Sequence, residues 1–98
     1  MKNVKYTRHL RFRLQLRKIP YELPLEVYKN ADAYYFDYGT ENHIAFKRVE
    51  YKGKLRDMIV VYKKQKGSCA IIITIHPLKE GQRDNRIRSG RWLKVEKA

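Results

Sequence analysis

The sequence lacks the features that identify disulfide-bonded, membrane-spanning and secreted proteins. It has 98 residues and one cysteine, Cys69, so it cannot close an internal disulfide, and we expect a buried thiol in a reducing compartment. No stretch approaches the roughly 20 apolar residues that span a bilayer, so we expect no membrane partner. The first residues also lack the apolar segment of a signal peptide. These absences together predict a cytoplasmic protein.

Motifs for metals, cofactors and covalent catalysis are missing as well. The three histidines, His9, His43 and His76, have no cysteine or carboxylate at the spacing of a zinc site. The five glycines are isolated from one another in predicted turns, so no glycine-rich loop is available to hold a phosphate. No serine or cysteine stands in a recognisable nucleophile motif. We therefore expect neither a metal nor another cofactor.

Positive charge is what the chain has in excess. The net charge is +13, and the apolar fraction of 43% is enough for one packed domain over residues 1–98. A charge of this size opposes compaction through self-repulsion, which indicates a polyanionic partner. Nucleic acid is the first candidate, ahead of an anionic membrane surface and an acidic protein.

The charge is unevenly distributed along the sequence. Residues 1–18 hold seven Lys or Arg and no acid, whereas residues 19–45 hold five acids and a single basic residue, Lys29. Residues 46–66 and 79–97 are basic again. This alternation predicts a molecule with one basic face and a less charged back.

Residues 5–18 fit two kinds of secondary structure. Leu10, Phe12, Leu14 and Leu16 alternate strictly with polar residues, which favours a strand. Leu, Arg and Gln are good helix formers, and Thr7 is a suitable N-cap, which favours a helix. The residue pattern leaves both alternatives open. In the helical alternative one stripe carries His9, Arg13 and Arg17.

The rest of the chain predicts a short helix and a set of strands. Pro24 suits the first turn of a helix that ends near residues 30–32. Strands are then expected over residues 33–38, 43–51, 55–62 and 69–75, and their regular spacing predicts an antiparallel meander. The continuous apolar run of the fourth strand predicts burial on both faces. The architecture expected is α+β.

Three motifs, which span most of residues 5–92, give the chain a family resemblance. With them it resembles the small toxin domains related to RelE and BrnT, in the RelE-like and barnase-like nuclease group, and in particular an uncharacterised RelE-like family. The motifs are Thr7-Arg8-His9-Leu10 with Arg13, Arg17 and Ile19-Pro20; the hairpin from Met58–Tyr62 to Ile72–Pro77; and Asn85-Arg86-Ile87-Arg88-Ser89-Gly90-Arg91-Trp92.

The resemblance implies a fold and a function. It implies a helix over residues 7–18 and a domain in which two N-terminal helices pack on one four-stranded, mainly antiparallel sheet. It also implies a sheet surface that binds RNA and, in active members, cleaves it without metal. A toxin of this type would be neutralised by an antitoxin, and an acidic antitoxin would match the charge of this chain.

Cleavage of RNA without a metal requires a base, an acid and cations that offset charge on the phosphorane. Histidine suits the first two roles because its ordinary pKa is near ~6.5. We predict His9 and His76 as the acid–base pair. The alternative is a basic RNA- or DNA-binding module without catalysis. The predicted phosphate-binding residues are Arg13, Arg17 and three residues of a basic C-terminal arm over residues 78–98, namely Arg86, Arg88 and Arg91.

Two further residues, outside the predicted site, have ordinary structural explanations. His43 follows a turn, and we expect it at the surface without a catalytic role. Trp92, at the end of the arginine-rich motif, is either an anchor that ties the arm to the body or a platform for a base. We favour the anchor.

Overall fold

A mixed sheet of six strands organises the chain, whose residues 3–96 are described by a computed structural model. Three helices accompany the sheet in this part of the chain. The strands are β1 (Val4–Tyr6), β2 (Ala33–Asp37), β3 (Asn42–Tyr51), β4 (Lys54–Gln65), β5 (Cys69–Pro77) and β6 (Trp92–Val95). The helices are α1 (Arg8–Leu16), α2 (Leu23–Lys29) and α3 (Gln82–Arg88).

The predicted fold of two helices on a four-stranded, mainly antiparallel sheet is wrong. The strand order is β1-β5-β4-β3-β2-β6, so the predicted meander from β2 to β5 forms the centre and an additional strand lies at each edge. β1 pairs with β5 in parallel, and β6 pairs with β2 antiparallel. The additional strands form because Val4 and Tyr6 pack on the core beside β5, and because Trp92 is buried beside β2.

The N-terminal segment that fitted two structures is a helix. The hydroxyl of Thr7 accepts a hydrogen bond from the backbone N–H of Leu10 at 3.1 Å, which is the expected N-cap. Leu10 and Leu14 lie one turn apart and are buried, whereas Phe12 and Leu16 are 61% and 68% exposed. One apolar strip thus packs on the sheet and the other faces solvent. Within residues 3–96 no helix is both long and apolar enough to cross a bilayer.

α1 and α2 pack on the same side of the sheet, which we call the helix face and which carries Ala45, Val60 and Ile75. α2 has Pro24 in its first turn, as predicted, and buries Val27 and Tyr28. The opposite side, the arm face, carries Phe46, Ile59 and His76, because residues directly opposite in neighbouring strands project to one side.

The C-terminal arm folds against the sheet. We define it as residues 78–96, because residues 97 and 98 of the predicted arm lie outside the described residues, as do residues 1 and 2 of the predicted domain. It contains α3 and β6, and Trp92 is 2% exposed with its ring 5.3 Å from that of Tyr35. The predicted anchor role of Trp92 is confirmed.

β5 lies inside the sheet, between β1 and β4, but its burial is one-sided. Ala70, Ile72 and Ile75 are buried on the helix face, while Ile71 and the single cysteine, Cys69, are only half-buried. The prediction of burial on both faces is wrong, because the arm covers the other face of the sheet nearer β2 and β3.

Candidate nucleic-acid interface

His76 lies near the end of β5, on the arm face, directly opposite Ile59 of β4. β1 pairs only with Ala70–Ile72, so in the described part of the chain no strand borders β5 beyond Ile72 on this side. The imidazole is half-buried. Its position beside an open edge makes it reachable both from α1 and from the arm.

Three arginines from the two ends of the chain lie close enough to His76 for their charges to act on it. The pKa of His76 is lowered by burial first, and then by the positive charges of Arg13, Arg86 and Arg17. Arg13 and Arg17 belong to α1 or its C-cap, and Arg86 belongs to α3. The structure thus brings together four of the residues that the sequence predicted for the site, and we call them the His76 cluster.

The cluster is strongly cationic. Within residues 3–96, none of its three arginines forms an ion pair with a carboxylate. The lowered pKa leaves the imidazole neutral near pH 7, so it can accept a proton while the guanidinium groups stay charged. Such a combination can bind a phosphate and remove a proton from a group beside it.

Aromatic contacts hold the arm over the sheet. The guanidinium carbon of Arg83 lies 4.3 Å from the ring centroid of Phe46, and that of Arg86 lies 5.5 Å from the ring of Trp92. Arg83 also donates a hydrogen bond of 3.4 Å to the hydroxyl of Tyr35. These contacts fix α3 on the arm face, which places Arg86 near His76.

Arg91 lies apart from the cluster and is bound to Asp37. Its Nε and Nη2 donate hydrogen bonds of 2.8 Å and 3.2 Å to the two carboxylate oxygens. Asp37 is 2% exposed; burial alone would raise its pKa, but the bonds from Arg91 and from the N–H of Gly39 outweigh burial and lower the pKa to about 2. The structure gives Arg91 a structural role, and phosphate binding by this residue stays a prediction.

His9 and Arg88 are exposed. His9 lies on α1 one turn before Arg13, and the charges that act on His76 come from the cluster arginines. Arg88 ends α3, two residues after Arg86. The roles predicted for His9 as an acid or base and for Arg88 as a phosphate ligand stay predictions.

His43 is not a simple surface residue. It stacks on Tyr62 with a centroid distance of 5.4 Å and contacts Phe36 edge-on. Burial and the charge of Lys64 lower its pKa. The expectation that it is exposed is therefore wrong, and its aromatic neighbours explain the burial.

Two residues of this region were not predicted from the sequence. In the sequence, Arg83 is one of several charged residues in a basic segment. Its contacts with Phe46 and Tyr35, which belong to distant strands, are visible only in the fold. Asp37 ends a strand predicted from its aromatic residues, and a lone acid there carried no signal of a partner 54 residues away. Among the residues that the structure describes, no three His, Cys, Asp or Glu side chains are grouped to hold a metal ion.

Comparison of the chain with models of protein families, with curated proteins and with solved structures gives no match.

Proposed function

We propose that the protein binds RNA at the His76 cluster and cleaves it as a metal-independent endoribonuclease. The observation that carries the proposal is the half-buried imidazole near the end of β5, within reach of the charges of Arg13, Arg17 and Arg86. Guanidinium groups match the geometry of phosphate oxygens, and a neutral imidazole is the form of histidine that acts as a base.

The proposed chemistry is an internal transfer. His76 accepts the proton of a 2′-OH, the 2′-oxygen attacks the adjacent phosphorus, and the bond to the 5′-oxygen breaks. The products are a 2′,3′-cyclic phosphate and a 5′-OH, whose proton comes from a general acid, for which His9 is the candidate. The cluster arginines offset the charge that develops on the phosphorane oxygens.

The toxin character implied by the RelE-like resemblance belongs to the same proposal, together with a cytoplasmic location. An acidic antitoxin is the proposed protein partner, and the net charge of +13 supports it.

A non-catalytic RNA- or DNA-binding module is the second candidate. One observation favours it: the charged neighbours that act on His76 are all arginines, which do not release a proton near neutral pH. Cleavage therefore requires an acid from elsewhere, whereas binding requires only the arginines.

Incubation of the pure protein with RNA in EDTA separates the two candidates. Cleavage predicts products that end in a 2′,3′-cyclic phosphate, and a His76→Ala variant should be slower by about 100-fold or more, as expected for loss of a general base. His9→Ala tests the acid in the same assay. His43→Gln is the control, since His43 packs against Tyr62 away from the cluster.

Two outcomes would count against cleavage. RNA that stays intact but binds in a salt-dependent manner would support the binding module. Cleavage that persists unchanged in the His76→Ala variant would refute the role of His76 and indicate a contaminating nuclease.

A further inference from the structure

A second cationic cleft is lined in part by Leu78 and Lys79, which closely follow His76 in the chain. It has a volume of about 520 Å³, within the range of about 300–1,000 Å³ typical of ligand sites, and it lies where the beginning of β4 meets the residues after β5. Its charged lining comprises Arg48, Lys54, Arg56, Lys79, Asp57 and Glu80.

The cations of the cleft outnumber its free acids. Arg48 donates a hydrogen bond of 2.9 Å to Asp57, so these two charges satisfy each other. Lys54, Arg56 and Lys79 then face one remaining carboxylate, that of Glu80. The residual positive charge suits an anionic ligand.

Arg56 is the residue that points to a phosphate. Its Nε is buried, and within residues 3–96 it has no hydrogen-bond acceptor. A buried N–H group without an acceptor is costly, and a turn of the side chain into the cleft would bring it to a phosphate oxygen. Nε and one terminal nitrogen of a guanidinium form the edge that binds two phosphate oxygens at once.

The backbone beside the cleft is held in place. The N–H of Leu78 donates to the carbonyl of Asp57 at 2.7 Å. The side-chain oxygen of Gln82 accepts from the N–H of Lys79 at 3.0 Å, and the N–H of Gln82 donates back to the carbonyl of Lys79 at 3.0 Å. Lys79 is thus fixed next to β4 rather than carried on a free loop.

The position of the cleft relates it to the proposed cleavage site. Leu78 follows His76 by two residues, and a strand advances about 3.3 Å per residue, so the cleft begins about 7 Å from His76 along the chain. α1 ends near the same end of the sheet, since Lys52 donates to the carbonyl of Arg17 at 3.2 Å. Strand alternation places Arg56 on the helix face with Met58, whereas His76 lies on the arm face, and the cleft lies at the edge of β4 that β5 leaves open before Met58. One strand of RNA that passes around this edge from the cluster can therefore enter the cleft.

We propose that this cleft binds a phosphodiester of the same RNA strand, next to the one held by the His76 cluster. Arg56 is the principal ligand, and Lys54 and Lys79 add charge. Leu55 and Leu78 also line the cleft, so a ribose or base finds apolar contact there, which favours a nucleotide over a free phosphate ion. The inference rests on the proposed RNA binding and adds a subsite to it.

A non-cleavable 2′-O-methyl hexanucleotide is the probe. Arg56→Gln should weaken its binding by about tenfold and reduce the slope of log affinity against log salt by about 0.7, the value for one lost contact to a single strand. Lys79→Gln, an exposed position whose variant should fold normally, should act in the same direction. Lys66→Gln is the control, because it removes one charge from the β4–β5 turn at the other end of the sheet.

A direct readout accompanies the affinities. The Nε–H signal of Arg56 in a nitrogen–proton NMR spectrum should shift on addition of the hexanucleotide to the wild-type protein. Arg13→Gln serves as the reference for binding at the His76 cluster.

The outcomes separate the cleft from the proposed function. If the hexanucleotide binds and Arg13→Gln weakens it, while Arg56→Gln and Lys79→Gln behave like Lys66→Gln, the cleft is refuted and the cluster stands. If the wild-type protein does not bind the hexanucleotide, RNA binding itself fails and the subsite with it. In that case a shift of the Arg56 signal with inorganic phosphate alone would assign the cleft to free phosphate instead.

Discussion

The Asp37–Arg91 pair and the His76 cluster both place arginines next to a partly or fully buried polar side chain, but with opposite results. At the first, a buried carboxylate takes two hydrogen bonds from one guanidinium. At the second, three guanidinium groups act on an imidazole whose pKa they lower. The first arrangement uses its charge to hold the arm in place, whereas the second leaves its charge for a ligand. An arginine count alone does not distinguish the two.

The largest effect is expected from breaking the buried pair. Arg91→Ala leaves the carboxylate of Asp37 buried without its cation, and should lower the free energy of unfolding by about 3 kcal/mol. Chemical denaturation measures it. Arg88→Ala removes the same charge from an exposed position and should change stability by less than about 0.5 kcal/mol. Equal losses in the two variants would contradict the structural role of Arg91.

The Asp37–Arg91 pair should also make the stability of the protein depend on pH in the acid range. The pKa of Asp37 is lowered to about 2 in the folded protein, so its contribution to stability is complete above the ordinary pKa of about 4 and is lost as pH falls towards 2. The loss over this range should be about 2 to 3 kcal/mol. Asp37→Asn should lack this part of the pH dependence in denaturation curves. A variant with the wild-type pH dependence would show that other carboxylates account for it.

A substitution in the His76 cluster should weaken RNA binding and have little effect on stability. Arg86→Gln should weaken the binding of a non-cleavable RNA by about tenfold, since one charge-assisted contact to phosphate is lost. Its free energy of unfolding should change much less than that of Arg91→Ala. Fluorescence anisotropy measures the affinity, with Lys66→Gln as the control for loss of one charge. An affinity loss no greater than that of the control would remove Arg86 from the site.

The smallest effect is on the pKa of His76. In the wild-type protein it should lie below about 6.5, the ordinary value for histidine. Arg13→Gln removes a positive neighbour and should raise it towards that value, as an NMR titration of the imidazole would show. Arg11→Gln, an exposed position on the same helix, is the matched control. If the two variants titrate alike, Arg13 does not act on His76 through its charge.

The sequence predicted the centre of the fold better than its edges. The strands from β2 to β5 carry long β-favouring runs, and α2 begins with Pro24 as predicted. β1 and β6 have three and four residues, and short strands depend on contacts with distant parts of the chain. In residues 5–18 the alternation of Leu10, Phe12, Leu14 and Leu16 also favoured a strand, whereas the capped helix buries only two of the four.

The site could be predicted in part for a similar reason. Helical spacing placed Arg13 and Arg17 on one stripe, whereas His76 and Arg86 were predicted from the end of the apolar strand and from the arginine-rich arm that follows it. The difference between Arg86 and Arg91 was not visible in the motif that contains both. It depends on Asp37, whose carboxylate reaches Arg91 only after β6 has paired with β2.

The two short edge strands have a consequence for association between copies of the chain. Without them, β5 and β2 would present long, apolar edges whose free N–H and C=O groups could pair with another molecule. β6 covers Tyr34–Asp37 of β2 and β1 covers Ala70–Ile72 of β5, and these short edge strands carry Lys94 and Lys5. Pairing of two such edges would bring lysines of two positively charged molecules together. The residues that complete the sheet therefore also oppose its growth into an aggregate.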